Sequence, residues 1–126
     1  MVEVGPGELI DKITILQIKS ERISDAAKLV NIRYELDVLS TARNENLENS
    51  DELQKLESDL KTVNESLWEI EDDIRQCEAD KNFGYTFIKL ARAVYITNDK
   101  RAALKKDINL LAGSAIVEEK SYTEFE

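Results

Sequence analysis

The chain has 126 residues, of which 42% are hydrophobic and 34% are charged, with a net charge of −9. One domain of this length buries roughly two-thirds of its unfolded surface, so it can form a stable core without disulfides or a structural metal. The negative charge argues against nucleic acid or an anionic membrane as partner, because both require clustered Lys and Arg. The absence of histidine excludes Ser-His-Asp triads, HExxH zinc sites and Glu-x-x-His di-iron sites. We therefore expect no metal and no cofactor.

The compartment is predicted from what the sequence lacks. Cys77 is the one cysteine, so no internal disulfide is possible, and residues 1–7 carry neither the basic nor the apolar segment of a secretory signal. No run approaches the roughly 20 apolar residues of a membrane span. We expect a single all-α domain over residues 1–126, located in the cytoplasm.

Two helices are predicted in the first third of the chain. The first runs from about residue 8 to 23 and is apolar on more than one face, which indicates partners on more than one side. Ser24 and Asp25 interrupt the pattern, and Asp25 suits an N-cap. The second helix runs from about residue 25 to 43, and the polar residues 44–50 then predict a loop.

The strongest pattern lies in a third helix over residues 51–78. Its apolar positions alternate by three and four, as in a coiled-coil seam: Leu53, Leu56, Leu60, Val63, Leu67, Ile70, Ile74 and Cys77. A fourth helix, over residues 85–112, keeps this spacing but is interrupted at Thr97 and Arg101, and Gly113 suits its C-terminal cap. Short strands at residues 2–4 and 115–117 are a further expectation.

Helices 3 and 4 are expected to form an antiparallel hairpin. Residues 51–78 hold ten acids and three bases, whereas residues 84–112 hold six bases and two acids. Opposite charge on consecutive helices joined by a short turn favours antiparallel neighbours. Such charges ordinarily lie on a solvent-exposed face, where each ion pair contributes little to the stability of the fold.

A candidate polar cluster follows from folding this hairpin about Lys81, because residues whose numbers sum to about 162 then face each other. It joins residues of both helices midway along the apolar seam: Asn64, Glu65, Trp68, Tyr95, Asn98 and Arg101. Such a cluster could bind a small polar or anionic ligand. Two structural interpretations compete with this one: a polar layer that fixes the register of the hairpin, or a kink after which Asn98 caps a new helix.

Two enzyme resemblances are weaker. Glu69 and Asp72 lie one turn apart and could share Mg²⁺ with a phosphate, as in all-α pyrophosphatases of the MazG type, but the matching upstream pair, Glu45 and Glu48, falls in the predicted loop. The segment 8–22 loosely resembles the first helix of AroQ-type chorismate mutases, yet it lacks their early Arg. A solvent-exposed helix face explains the first pair better, and a core helix explains the second segment better.

Three phrases carry a wider resemblance: GELIDKITILQIKSERI at 7–23, VNESLWEIEDDIR at 63–75 and VYITNDKRAALKKDINLLAGSAIVEEKSY at 94–122. They resemble a family of short bacterial and viral proteins catalogued as a domain of unknown function. The resemblance covers nearly the whole chain and implies no activity and no catalytic residues.

These patterns predict an all-α hairpin of helices 3 and 4 with helices 1 and 2 packed along it. Helix 1 and the long helix 3 offer more apolar surface than one thin bundle can cover, so a homodimer is expected. The preferred function is a non-enzymatic interaction or scaffold protein, with a protein partner in addition to its own copy. The alternative is a ligand- or metal-binding protein or enzyme, related to nucleotides or sugar phosphates, that uses the polar cluster.

Overall fold

The computed structural model describes residues 5–113, and over this range the chain forms four α-helices and no strand. The helices are α1 (Pro6–Arg22), α2 (Ala26–Asn46), α3 (Asp51–Ala79) and α4 (Tyr85–Leu111). The predicted all-α fold is confirmed. The predicted strands, residues 2–4 and 115–117, lie outside the described residues.

The helix ends are set by the capping residues that the sequence indicated. The Asp25 carboxylate accepts hydrogen bonds from the backbone N–H groups of Ala27 and Lys28, at 3.0 and 3.2 Å. The Ser50 hydroxyl accepts one from the N–H of Leu53 at 3.1 Å. Gly113 has a φ of +70°, the left-handed conformation of a residue just past a helix C-cap.

The predicted loop over residues 44–50 is partly wrong, because α2 continues to Asn46. The Asn46 side chain donates a hydrogen bond to the carbonyl of Ala42, and Arg43 donates to Asn44 and Asn49. These bonds attach the polar run to the last turn of the helix. Four residues, 47–50, are left for the connection to α3.

Three helices, α1, α3 and α4, pack against one another, and α2 packs on α1. The hydrophobic core forms where α1 meets the hairpin of α3 and α4. Its fully buried members are Ile10, Ile13, Leu53, Leu60 and Ile108. Leu36 and Leu39 reach this core from α2, yet no residue of α2 is itself fully buried.

The contacts of α1 define its direction. Its first turn lies beside Asn109 near the end of α4, and its last residue, Arg22, pairs with Glu69 of α3. Helix α1 therefore runs in the opposite direction to α4, and its last turn lies against the middle of α3, where Glu21 pairs with Lys61. With 29 residues α3 is about 43 Å long, against about 25 Å for the 17 residues of α1, so the hairpin extends past the end of α1.

The first turn of α1 approaches the backbone of α4 very closely at Gly7. A Cβ atom at this position would lie 2.4 Å from the carbonyl oxygen of Lys105 and 3.1 Å from Oδ1 of Asn109. Backbone atoms of a packed helix cannot move aside as a flexible side chain can. Glycine at this position is what lets α1 and α4 pack at this distance.

We expect Gly7→Ala to lower the free energy of unfolding by about 1–3 kcal/mol, although alanine is the better helix former, because its methyl group overlaps Lys105. Urea denaturation followed by circular dichroism measures this change. Gly84→Ala is the matched control, because a Cβ there meets its nearest atom, Oδ1 of Asn82, at an ordinary 3.5 Å. Equal midpoints for the two variants would contradict the close approach.

Candidate functional site

The most distinctive polar feature is a group of side chains inside the three-helix contact, which we call the Asp11 network. It comprises Asp11 and Thr14 of α1, Asn64 of α3 and Arg101 of α4. Asp11 is 1% exposed, and Thr14 and Asn64 are also buried. The Arg101 side chain keeps 29% of its surface exposed, so the network reaches solvent along the guanidinium.

The carboxylate of Asp11 is bound from two helices at once. Arg101 donates from Nε to Oδ1 at 2.9 Å and from Nη2 to Oδ2 at 2.5 Å, a bidentate ion pair. Asn64 donates from Nδ2 to Asp11 Oδ1 and to Thr14 Oγ1, both at 2.9 Å. The Thr14 hydroxyl donates in turn to the Asp11 carbonyl at 2.7 Å.

Helical spacing explains why these residues meet. Gly7, Asp11, Thr14 and Ile18 follow one another at intervals of four, three and four along α1, and all four are buried. They therefore form one stripe of the helix, turned toward the hairpin.

On α4 the facing stripe is Arg101, Lys105 and Asn109, at intervals of four. The two stripes run antiparallel, so each member of the α4 stripe meets the first half of α1. Lys105 pairs with Glu8 at 2.7 Å, and Asn109 accepts a hydrogen bond from the Gly7 N–H at 2.7 Å. This second bond satisfies one of the free N–H groups that every helix start exposes.

The chemistry open to the network follows from how fully it is bonded. Among the described residues, no buried side-chain nitrogen or oxygen lacks a hydrogen-bond partner. A carboxylate that accepts a bidentate arginine and an amide has little capacity left to act as a base or to bind a cation. An anionic ligand would have to displace Asp11 from Arg101. The arrangement fits a polar layer that fixes how three helices pack.

A second polar group lies on the surface where α1 ends. Arg22 donates to Glu69 at 2.5 Å, lies 3.9 Å from Glu65, and places its guanidinium carbon 6.0 Å from the centre of the Trp68 ring. The hydrogen bond to Glu69, with the nearby acidic charges, raises the pKa of Arg22 above its ordinary value. Arg22 therefore stays charged, and this group ties the end of α1 to α3.

The structure divides the six predicted cluster residues among three places. Asn64 and Arg101 come together, but across Asp11 of α1. Glu65 and Trp68 belong to the Arg22 group instead. Tyr95 is exposed and Asn98 is half-buried. The kink interpretation is wrong, because α4 is unbroken from Tyr85 to Leu111 and Asn98 caps no new helix.

The weak metal alternative, Glu69 and Asp72, has each carboxylate in an ion pair. Glu69 accepts from Arg22, and Asp72 lies 3.9 Å from Arg75. Within residues 5–113 no three His, Cys, Asp or Glu side chains lie close enough to hold a metal ion.

Sequence reasoning missed Asp11, the centre of the network. A signal was present, since Asp11 and Thr14 share a stripe with the apolar Ile18, where a polar residue needs a partner. The matching stripe of Arg101, Lys105 and Asn109 on α4 could have supplied one. Folding the hairpin alone, without α1, hid this match.

The fold and this network define a class: a small four-helix protein whose polar centre is a buried ion pair bonded across three helices. Residues 1–125 match the family described as "Family of unknown function (DUF6165)", and the chain belongs to that family. No curated protein and no solved structure matches the chain. Among the described helices none is long and apolar enough to cross a membrane.

We expect Asp11→Asn to lower the free energy of unfolding by about 3 kcal/mol, because the substitution removes the buried negative charge to which both Asn64 and Arg101 donate hydrogen bonds. Urea denaturation provides the measurement. The matched control is Asp72→Asn, whose ion pair with Arg75 is exposed and should contribute less than about 0.5 kcal/mol. Similar midpoints for both variants would show that the network does not hold the helices together.

Proposed function

We propose that this chain is a non-enzymatic helical interaction protein that acts as a homodimer. The observation that carries the proposal is the distribution of exposed apolar side chains on two separate surfaces. One is the outer side of α2 and the other is the far part of the hairpin. Isolated exposed apolar residues are normal, but groups of large ones on one helix side mark contact surfaces.

On α2 the exposed large apolar residues are Val30, Tyr34 and Val38, each one turn from the next. The opposite side of the same helix packs Leu36 and Leu39 against the core. Helix α2 is thus apolar on two opposite sides, and the chain covers one of them. Such a helix is expected to have a further partner.

The far part of the hairpin is the second surface. Near its turn, Phe83 packs edge to face against Phe87 at a ring distance of 5.4 Å, while Tyr85, Ile88 and Tyr95 are exposed. Between residues 81 and 98 the sequence carries Lys81, Lys89 and Arg92 and no acid. The α4 side of this surface is apolar and basic, which suits a protein partner with an acidic surface, while the α3 side carries Glu71, Asp72, Asp73 and Glu78.

The ligand-binding alternative has less support from the geometry. It requires Arg101 to exchange the buried Asp11 carboxylate for a dissolved anion, with loss of a bidentate pair. We expect no thermal shift of the protein with Mg²⁺, ATP or sugar phosphates at millimolar concentration. A shift of several degrees that disappears in Arg101→Met would revive the alternative, provided that this variant still folds.

We expect sedimentation equilibrium at about 10 μM to give twice the mass of one chain. The physical reason is the uncovered apolar surface, whose burial favours association. A concentration series up to about 100 μM gives the dissociation constant. A single-chain mass throughout that series would overturn the homodimer and with it this proposal.

A further inference from the structure

The outer side of α2 has a symmetry that its exposure alone does not explain. Its residues are Ala27, Val30, Tyr34, Val38 and Thr41, all exposed, which we call the α2 face. The intervals between them are three, four, four and three, so the spacing is the same in both directions from Tyr34. Tyr34 is 72% exposed, Val30 66% and Val38 49%.

The residues around Tyr34 repeat this symmetry in their chemistry. Reading outward in both directions along the exposed side, Val30 matches Val38 and Ala27 matches Thr41, two small side chains. An antiparallel pair of identical helices related by a two-fold axis brings together residues at equal distances on either side of the axis. A face whose members match in this way brings apolar side chains together in such a pair.

We propose that the α2 face is the surface through which two copies of this chain associate, with α2 antiparallel to α2 of the second copy and Tyr34 at the two-fold axis. This inference rests on the proposed homodimer and assigns its surface. Val30 then packs against Val38 of the second copy, Ala27 against its Thr41, and the two Tyr34 rings meet at the centre.

Charge complementarity supports this register. Arg33 and Asp37 lie on the same flank of the α2 face, four residues apart. Symmetry about Tyr34 places residue 33 of one copy level with residue 35 of the other. Asp37 of the second copy lies two residues further along, so it is about 3 Å from Arg33 along the helix axis, at 1.5 Å per residue. The two-fold axis forms this contact twice.

The other flank is complementary as well. Asn31 and Glu35 also lie four residues apart on one flank, so the same symmetry brings Asn31 close to Glu35 of the second copy. The Asn31 amide can then donate a hydrogen bond to that carboxylate. In the described chain Glu35 pairs with Lys12 at 3.2 Å, a contact that is well exposed and leaves carboxylate surface open.

The hairpin surface is the less suitable place for self-association. Its exposed residues surround Lys89 and Arg92, and residues 81–98 contain no acid that could face these cations across a two-fold axis. Pairing the α4 side of this surface with itself would bring like charges together. It is therefore left for a partner of a different kind, while the α2 face is complementary to itself.

The first test measures the dimer dissociation constant of Tyr34→Glu by sedimentation. Two glutamates would meet at the axis, and we expect the constant to rise by at least about 30-fold, as for a central interface residue. The matched control is Tyr85→Glu, the same change at an equally exposed tyrosine of the hairpin, which should leave the constant unchanged. Because both positions are exposed, circular dichroism should show unchanged helix content in each variant.

The second test uses the charged flank. Arg33→Glu and Asp37→Arg each place like charges together in their own homodimers, and we expect each to raise the dissociation constant by about tenfold. Mixed one to one, the two variants should form a heterodimer in which every flank contact is again opposite in charge. Native mass spectrometry of the mixture counts the three possible dimers.

The outcomes are separable. Loss of the dimer in Tyr34→Glu, with a dominant heterodimer in the mixture, supports the proposal. A wild-type dimer that survives Tyr34→Glu but is lost in Tyr85→Glu overturns the α2 face and leaves the proposed function standing. Loss of the dimer in Tyr34→Glu without heterodimer preference overturns the antiparallel register, and a monomeric wild type overturns the proposed function itself.

Discussion

The ion pair between Asp11 and Arg101 is the constraint on which the arrangement of the helices depends. A carboxylate that is 1% exposed is stable when its partners are in place, so α1 can sit on the hairpin in one rotation. Asn64 sets the same rotation from α3. Hydrophobic packing tolerates sliding, whereas a bidentate pair does not, and this pair therefore gives the bundle its register.

Much of the fold could be predicted from the sequence because local signals agree with it. The interval of three and four in α3, the caps at Asp25 and Ser50, and Gly113 each act within one turn of chain. The boundary of α2 was harder, since bonds from Arg43 and Asn46 offset the low helix propensity of the Asn residues. Such bonds need the folded neighbours to be known.

The site was predicted less well for a physical reason. Asn64 and Arg101 were identified because they interrupt an apolar seam between two consecutive helices. Asp11 is 53 and 90 residues away from them along the chain, and pairing it requires the position of α1 on the hairpin. A polar residue on a buried stripe indicates that a partner exists, but its identity depends on tertiary packing.

The same constraint directs the surfaces that remain. With Asp11 turned toward the hairpin, Lys12 at the adjacent position pairs with Glu35, and α2 packs on α1 and reaches α3 through the ion pair of Arg43 with Glu57 at 2.7 Å. Helix α2 then covers α1 with Leu36 and Leu39 and turns Tyr34 to solvent. The buried charge pair and the exposed face of α2 are therefore linked through the orientation of α1. The proposed association through the α2 face therefore depends on the network, although no residue of the network belongs to that face.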